Sequence, residues 1–277
     1  MVQQDLYFRR RARRKALKFF WFFCFLVIFA SLGYFLAFSK YFLIKNVQVQ
    51  TEDSDKQQIA EFVWQELENK KFGIILGNNV LFLNKNKLIS TLLEKYALYK
   101  AFEIDYQFKD RTLTISGETR KSVAIACRND NCSSIDENGI AFSPIESYIV
   151  FGHLSPTGVL LFVVGEGVEK EIVFGQQFLP KELIAFASKF KEMANETVPM
   201  GSAVIEKEYL EAHFIKFNTV SDYSTGNSWY VLTLFDLDPK SVVENMNLVL
   251  EKEVKDNQNR LEYIDLRYRD KAYYKLR

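Results

Sequence analysis

One long stretch without a charge constrains this chain more than any other feature. It runs from Phe19 to Phe38 and reads FFWFFCFLVIFASLGYFLAF. Twenty helical residues at about 1.5 Å each span about 30 Å, which is the thickness of the hydrocarbon core of a bilayer. A helix satisfies its own backbone hydrogen bonds in that environment, whereas an isolated extended segment does not. The sequence therefore predicts one transmembrane helix at residues 19–38, in contact with the lipid bilayer.

The charges on either side of this stretch predict its orientation. Seven Lys and Arg residues and one acidic residue precede Phe19, whereas Lys40 and Lys45 follow the stretch. Because basic residues are retained on the cytoplasmic side, residues 1–18 are predicted to be a cytoplasmic tail and the C-terminus to lie outside. The alternative is a cleaved signal peptide, with Ala37–Ser39 resembling its cleavage site. The apolar part of a signal peptide usually has only about 7–15 residues, which favours the uncleaved anchor.

The remainder of the chain has the composition of a globular protein. Apolar residues make up 48% of the sequence and charged residues 26%, which is an ordinary mixture. The formal net charge is only +1 although the tail is strongly basic, so the rest of the chain is mildly acidic. Nucleic acid is therefore not expected as a partner, because phosphate binding requires a cationic surface.

The segment Tyr41–Arg120 has the pattern of a small β-α-α-β-β domain. Alternating apolar residues predict a strand at Val47–Val49 and a longer one at Phe102–Phe108, which turns at Lys109–Arg111 into a return strand around Leu113. Two amphipathic helices between these strands are expected to bury Ile59, Phe62, Val63 and Leu67 on the first, and Leu88, Leu92, Leu93 and Tyr96 on the second. Two helices on one face of a three-stranded sheet bury a single small core.

Polar residues indicate where these two helices begin. Ser54 followed by Gln57 is a capping box for the first helix. Either Asn84 or Asn86 is predicted to cap the second helix, after a loop rich in Gly and Asn at Gly73–Asn79.

From about Lys121 the chain consists of short apolar runs separated by turn residues, which predicts a mainly antiparallel β domain at residues 121–277. A tight turn is expected at Asp136–Gly139. Two helices are expected, one at Leu179–Asn195 with Pro180 at its first position and one beginning at Asp238–Pro239. The predicted strands are Val123–Cys127, Tyr148–Phe151, Val159–Val164, Glu171–Phe174, His213–Val220, Trp229–Phe235, Leu261–Tyr268 and Ala272–Leu276. The predicted fold class is therefore α+β, with one transmembrane helix and two exterior domains at 41–120 and 121–277.

The three cysteines have different surroundings. Cys24 lies inside the apolar stretch and is interpreted as a small apolar residue. Cys127 and Cys132 flank a polar stretch that has the pattern of a hairpin tip. Outside the cytoplasm a disulfide between them is permitted, and paired strand positions suit its geometry. Free thiols are the alternative, and a metal site is disfavoured because zinc takes four ligands that usually include His or more Cys.

The order of these features resembles the FtsQ/DivIB family of bacterial cell-division proteins. The membrane helix leads into a β-α-α-β-β unit, which resembles that family's POTRA domain. The segments Arg120–Ala124 (RKSVA) and Ile135–Phe142 (IDENGIAF) are similar to the opening of the family's second, β domain. Tyr263–Tyr268 (YIDLRY) and Ala272–Lys275 (AYYK) are similar to its closing hairpin.

The resemblance implies a divisome scaffold in the cytoplasmic membrane at the division septum. It implies FtsB-like and FtsL-like bitopic proteins as partners, and through them an influence on septal peptidoglycan synthesis. In the family's pattern Arg267 and Tyr268 fall in the partner-binding region. Two other functions stay open: a POTRA-type adaptor in secretion or envelope assembly, and a membrane-anchored enzyme that acts on the envelope.

The last strand suggests a binding mechanism on physical grounds. No segment of the chain follows Ala272–Leu276 to cover its outer side, and an uncovered edge offers backbone groups that a partner strand completes. Tyrosine is favoured at interfaces. The alternative is that these tyrosines are ordinary core or hairpin residues. The predicted partner-binding residues are Arg267, Tyr268, Ala272, Tyr273, Tyr274 and Leu276.

The chain has few candidates for catalysis, so no enzymatic activity, no cofactor and no metal are expected. His153 lies near Ser155, but no G-x-S-x-G elbow accompanies them. Gly165–Gly167 has no third glycine of a dinucleotide fingerprint and is interpreted as a turn. The carboxylates Asp136 and Glu137 precede Asn138–Gly139 and are interpreted as turn residues.

Overall fold

The computed structural model describes residues 2–52, 55–68, 78–129, 131–146, 159–165, 168, 171–219, 228–268 and 271–277. The capping box at Ser54, most of the loop Gly73–Asn79 and the strand Tyr148–Phe151 lie outside the described residues. The chain divides into two compact units. Unit 1 comprises Met1–Leu92 and Ala101–Glu118, and unit 2 comprises Leu93–Lys100 and Thr119–Arg277.

Helix α1, Val2–Phe38, contains the apolar stretch. Its segment Lys18–Phe38 is long and apolar enough to cross a bilayer, and none of it is buried against the rest of the protein. No other helix among the described ranges meets the same criteria. The protein therefore has one N-terminal helix that is compatible with a single membrane span.

Unit 1 contains most of a three-stranded sheet and of two helices, whose residues 93–100 and Thr119 belong to unit 2. In chain order these are β1 (Asn46–Gln50), α2 (Lys56–Glu68), α3 (Lys85–Lys95), β2 (Tyr99–Gln107) and β3 (Thr112–Thr119). The strand order is β1-β3-β2, and β1 runs parallel to β3 with Val47 opposite Leu113. The core is formed by apolar residues of both helices and both longer strands, including Ile59, Val63, Leu67, Leu88, Leu92, Phe102, Leu113 and Ile115.

Two details of unit 1 test the sequence predictions directly. Asn84 is the cap of α3, because its Oδ1 accepts a hydrogen bond from the Lys87 amide at 3.0 Å. The strand predicted at Phe102–Phe108 extends one residue too far at its C-terminal end. Strand β2 ends at Gln107, and Phe108 lies in the turn, where it is exposed. Phe108 follows the last residue of the strand. Beyond that point side chains no longer alternate between the two faces of the sheet.

Unit 2 contains one mixed sheet of nine described strands. They are β4 (Ala124–Arg128), β5 (Asn131–Ile135), β6 (Ala141–Glu146), β7 (Leu160–Val164), β8 (Met200–Ile205), β9 (Phe214–Thr219), β10 (Tyr230–Leu234), β11 (Leu261–Tyr268) and β12 (Lys271–Leu276). Their order is β12-β11-β10-β9-β8-β7-β4-β5-β6. Five of the pairings are antiparallel and three are parallel, namely β10 with β11, β4 with β7, and β7 with β8.

The helices of unit 2 supply much of its core. They are α4 (Lys181–Ala194), the short α5 (Lys207–Glu211) and α6 (Pro239–Val249), which continues through a π turn at Leu250–Val254 and a 3₁₀ stretch at Lys255–Arg260. Asp238 caps α6, because its carboxylate accepts from the Ser241 amide at 3.1 Å. Phe190 of α4 packs on Phe217 of β9 with ring centroids 4.4 Å apart. Burial of such aromatic side chains stabilises this layer.

Several sequence predictions for unit 2 need correction. Glu171–Phe174 is not a strand: Val173 and Phe174 are exposed, so the run has no buried face. Pro180 occupies the cap position rather than the first helical position of α4. Strands β5, β6 and β8 were not predicted, and β5 shows why. It reads NCSSI, and its buried Ser133 and Ser134 are held between β4 and β6 by pairing, which a hydrophobic pattern does not detect.

The predicted turn at Asp136–Gly139 is confirmed. Asp136 Oδ1 accepts from the amides of Asn138 and Ile140, both at 2.9 Å. Gly139 has a φ of +78°, and a Cβ atom there would lie 2.0 Å from the carbonyl oxygen of Leu179. Both the conformation and the close approach require glycine at this position.

Candidate partner-binding edge

Strand β12 lies at one end of the nine-stranded sheet. Its neighbour among the described strands is β11, and the two are antiparallel with Ile264 opposite Tyr274 and Asp265 opposite Tyr273. Two irregularities occur in this pairing, and in both the extra residue belongs to β11. Strand β12 is therefore regular along its length, and its backbone groups alternate strictly between the two sides.

The direction of these backbone groups follows from one hydrogen bond. The Arg277 amide donates to the Arg260 carbonyl oxygen at 2.7 Å, so Arg277 faces β11. In an antiparallel strand the amide and carbonyl of one residue point to the same side, and successive residues alternate. The backbone amides and carbonyls of Lys275, Tyr273 and Lys271 therefore point toward β11. Those of Ala272, Tyr274 and Leu276 point away from β11, toward the open side of β12.

The side chains of β12 alternate between the two faces of the sheet. Tyr274 lies opposite the buried Ile264, and Leu276 packs at the margin of the hydrophobic core. Tyr273 is on the other face and contacts Tyr268 edge to face, with ring centroids 5.2 Å apart. Tyr268, Tyr273 and Tyr274 are 53%, 49% and 38% exposed. The three tyrosines therefore keep contact area available and are not core residues.

A cleft of about 630 Å³ lies between α6 and this edge. Its floor includes Leu266 of β11, and Leu248 of α6 lines it with an exposed side chain. Further lining residues are Leu237, Asp238, Ser241, Val242, Asn245, Val249, Tyr268, Lys271 and Ala272. The cleft therefore reaches Ala272 of β12.

Arg267 of β11 is held in place on the side of this strand away from β12. Its Nε and Nη2 donate to the two carboxylate oxygens of Asp265 at 2.9 and 2.6 Å, and its amide donates to the same carboxylate at 3.1 Å. The guanidinium also lies 4.9 Å from the ring centroid of Phe214. The hydrogen bonds to Asp265 raise the pKa of Arg267, against the effect of partial burial. Arg267 is therefore a fixed cation on the sheet surface, with a planar donor group that is already largely engaged.

Two lysines flank the tyrosines of β12. Lys271 begins the strand, and Lys275 Nζ lies 2.8 Å from the Glu262 carboxylate across the pair. Lysine on an edge strand opposes uncontrolled pairing of one sheet with another.

The cysteine pair lies elsewhere in unit 2. Cys127 and Cys132 are opposite each other in β4 and β5 and are joined by a disulfide, with both side chains buried. The bridge closes a short hairpin, and a loop of this size contributes only modest stability. The pair belongs to the structural framework and not to the edge.

The described part of the chain contains no cluster of His, Cys, Asp or Glu with the arrangement of a metal site. His213 has a φ of +57° and stacks on Phe235 with ring centroids 5.3 Å apart. His153 and most of Gly165–Gly167 lie outside the described residues. Asp136 is a turn residue, and Glu137 pairs with Lys100 at 2.8 Å.

All six residues predicted for the partner site lie on β11 and β12. The Arg267 guanidinium, however, lies against Phe214 of β9, on the side of β11 away from β12. The structure also adds Leu248 and Asn245 of α6, which sequence reasoning missed. The sequence did contain a signal for Leu248. This residue falls outside the inward-facing residues of α6, such as Val242, Met246 and Val249. An apolar residue on the outer side of an amphipathic helix indicates a contact surface. The chain matches no known family model and no curated protein.

Proposed function

We propose that this protein is a non-enzymatic scaffold of bacterial cell division, of the FtsQ/DivIB type. In this proposal α1 anchors it in the cytoplasmic membrane with the N-terminus in the cytoplasm, and the exterior portion binds a small bitopic protein of the FtsB or FtsL type at the septum. The observation that carries the proposal is the open edge of β12, with outward backbone groups at Ala272, Tyr274 and Leu276.

The architecture of unit 1 supports the POTRA part of this proposal. Its elements follow in the order β-α-α-β-β, and the return strand β3 lies in the middle of the sheet between β1 and β2. A small domain of this kind directly after a membrane helix is what the resemblance to the FtsQ/DivIB family implies.

Binding at the edge would combine two contributions. An extended partner segment would form main-chain hydrogen bonds with β12, which provide affinity without much sequence dependence. Its alternate side chains would enter the cleft beside α6, where Leu248 and Leu266 offer apolar surface. The exposed tyrosines next to the cleft would add side-chain contacts to these main-chain bonds. Through this contact the scaffold would couple its partners to septal peptidoglycan synthesis.

The test is a pull-down of the full chain, solubilised in detergent, with FtsB and FtsL from the same cell. Tyr274→Pro removes an outward amide, leaves the pairing of β12 with β11 intact, and is tolerated where the amide faces away from the sheet. We expect this variant to lose FtsB binding. Tyr274→Ala removes the side chain and keeps the amide, so it is the matched control and should retain measurable binding.

Thermal unfolding of both variants shows whether the fold is intact. If Tyr274→Pro is folded and binds FtsB as the original chain does, strand addition at β12 is excluded. Localisation separates the remaining functions, because a divisome scaffold accumulates at mid-cell whereas an adaptor for secretion or envelope assembly does not.

A further inference from the structure

The end of unit 1 that adjoins α1 carries exposed apolar side chains. Tyr41, Leu81, Phe82 and Phe108 are 71%, 48%, 55% and 60% exposed. They come from three separate parts of the sequence, namely the segment after α1, the 3₁₀ turn Val80–Phe82, and the turn between β2 and β3. Large apolar side chains left exposed at one end of a domain indicate contact with a membrane or another molecule.

Asn79 connects this surface to the membrane helix. Its Nδ2 donates to the carbonyl oxygens of Leu36 and Ala37, both at 3.0 Å, while its Oδ1 accepts from the Leu81 amide at 2.9 Å. The side chain is fully buried. It therefore satisfies carbonyls in the last turn of α1, which have no partner within the helix itself, and at the same time holds the turn that carries Leu81 and Phe82.

Backbone hydrogen bonds fix the same junction. The Ile44 amide donates to the Asn78 carbonyl at 2.8 Å, and the Val80 amide donates to the Phe42 carbonyl at 2.9 Å. Phe42 also contacts Phe35 of α1 edge to face, with ring centroids 6.3 Å apart. The turn at Val80–Phe82 therefore has a fixed position relative to the end of α1.

The turn between β2 and β3 is tied to the same segment. Tyr106 donates its hydroxyl to the carbonyls of Tyr41 and Leu43 at 3.2 and 3.3 Å. Burial raises the pKa of Tyr106. The Tyr106 ring packs edge to face on Phe108 at 4.9 Å, and Arg111 Nη1 donates to the Lys40 carbonyl at 3.2 Å. Phe108 is therefore next to the chain that leaves α1.

We infer that this surface, formed by Tyr41, Leu81, Phe82 and Phe108, lies in the interfacial layer of the leaflet from which the C-terminal end of α1 emerges. The inference rests on the membrane anchor of the proposed function. An apolar span of about 20 residues fills the hydrocarbon core, so Leu36 and Ala37 lie at its boundary. Asn79 is hydrogen-bonded to both of them. Leu81 and Phe82 follow it by two or three residues and are then within reach of lipid headgroups, because consecutive Cα atoms are about 3.8 Å apart.

The surrounding charges favour the same occupant. Lys40, Lys45, Lys109 and Arg111 adjoin the four apolar residues, and Asp110 is the acidic residue among them. Aromatic side chains at the boundary with cations beside them are typical of segments that lie in the interface plane, where the cations reach lipid phosphates. Unit 1 would then be held against the bilayer and would not turn freely on its anchor.

Nitroxide labels in the full chain, reconstituted into bilayers of phosphatidylcholine and phosphatidylglycerol, test this inference. Phe82→Cys and Phe108→Cys in a Cys24→Ala background place labels on the surface, and Glu103→Cys places the control label on exposed β2, about 17 Å along the strand from Phe108. We expect the ratio of collision with oxygen to collision with a water-soluble nickel chelate to be several-fold higher at 82 and 108 than at 103.

In a separate sample with the original sequence, a nitroxide on Cys24 reports the depth of the anchor. A Cys24 label deep in the bilayer together with labels at 82 and 108 that are as accessible to the chelate as the label at 103 would overturn the inference and leave the anchor standing. A Cys24 label in water would overturn the anchor and the inference together. The remaining cysteines, Cys127 and Cys132, are joined to each other and are kept oxidised during labelling.

Discussion

Arg120 Nη1 donates a hydrogen bond to Asp136 Oδ2 at 2.5 Å, and the two side chains are only 9% and 4% exposed. The other oxygen of Asp136 accepts the two amides of its own turn. The carboxylate is thus fully engaged in a buried site, and the pair joins the segment between β3 and β4 to the turn between β5 and β6. Both residues belong to the segments that carry the family resemblance.

Removal of one partner from this pair should be strongly destabilising. Arg120→Ala leaves the Asp136 carboxylate buried without its cation, for which a loss of about 3–5 kcal/mol is expected. Urea unfolding of the full chain in detergent measures the change. The matched control is Lys240→Ala, which breaks an exposed pair with Glu244 at 3.9 Å and should cost less than about 1 kcal/mol. Similar losses for both variants would show that the buried pair has no special contribution.

The turn after Asp136 should tolerate no side chain at Gly139. Gly139→Ala forces a positive φ on alanine and places its Cβ 2.0 Å from a backbone oxygen, so the variant is expected to lose several kcal/mol or to fail to fold. Gly175 separates these two effects, because its φ is +81° while the nearest atom to an added Cβ is 3.6 Å away. Gly175→Ala should cost only about 1–2 kcal/mol, the conformational part alone. Equal melting temperatures of the two variants would contradict the steric argument.

The junction between α1 and unit 1 should depend on the Asn79 amide. Asn79→Ala removes the acceptor of the Leu81 amide and both donors to α1. At about 1 kcal/mol for one hydrogen bond, exchange of the Leu81 amide with deuterium should accelerate about fivefold.

Asn79→Asp is the discriminating variant at the same position. It keeps the acceptor for Leu81 but loses both donors to α1. We therefore expect the Leu81 amide to stay protected while a nitroxide at position 82 becomes more mobile than in the original chain. Unchanged label mobility would mean that the bonds to Leu36 and Ala37 do not hold the junction.

Lys191 should make the stability of unit 2 depend on alkaline pH. It is buried on α4, with Nζ donating to the Val159 carbonyl at 2.9 Å, and burial lowers its pKa. At pH values between the lowered pKa of the folded chain and the ordinary pKa of about 10.5, the unfolded chain binds more protons at this residue than the folded chain does. In that pH range Lys191 therefore makes the free energy of unfolding rise with pH. Lys191→Met should remove the rise, and the difference from the original chain should shrink as pH increases.

Denaturant unfolding at several pH values from 7 to 10 checks this prediction. Lys189→Met, at an exposed position of the same helix, controls for the general effect of losing a lysine. If both variants show the same pH dependence as the original chain, Lys191 does not carry a burial cost.

The local sequence pattern was sufficient to predict those elements that depend on residues within one helix, strand or turn. The charge-free run Phe19–Phe38 required a long apolar helix, the strand β2 followed from strict alternation, and Asp238–Pro239 marked the start of α6. These features depend on periodicity and backbone chemistry within a few residues, which are present in the sequence itself. For the same reason the closing hairpin, which carries the six residues predicted for the partner site, could be recognised before any strand order was known.

Pairing between distant segments was decided only in three dimensions. The polar strand β5 is a strand because β4 and β6 enclose it. The parallel strands β10 and β11 pair residues that are 33 positions apart in the chain, such as Tyr230 and Tyr263. Whether Tyr274 faces a partner or its own sheet depends on the alternation set by Arg277 and Arg260. The sequence alone determined one apolar helix, an α+β body and a terminal hairpin, because these are local. The open side of that hairpin, the cleft beside α6 and the junction at Asn79 arise from contacts between residues far apart in the chain, and only the tertiary structure decided them.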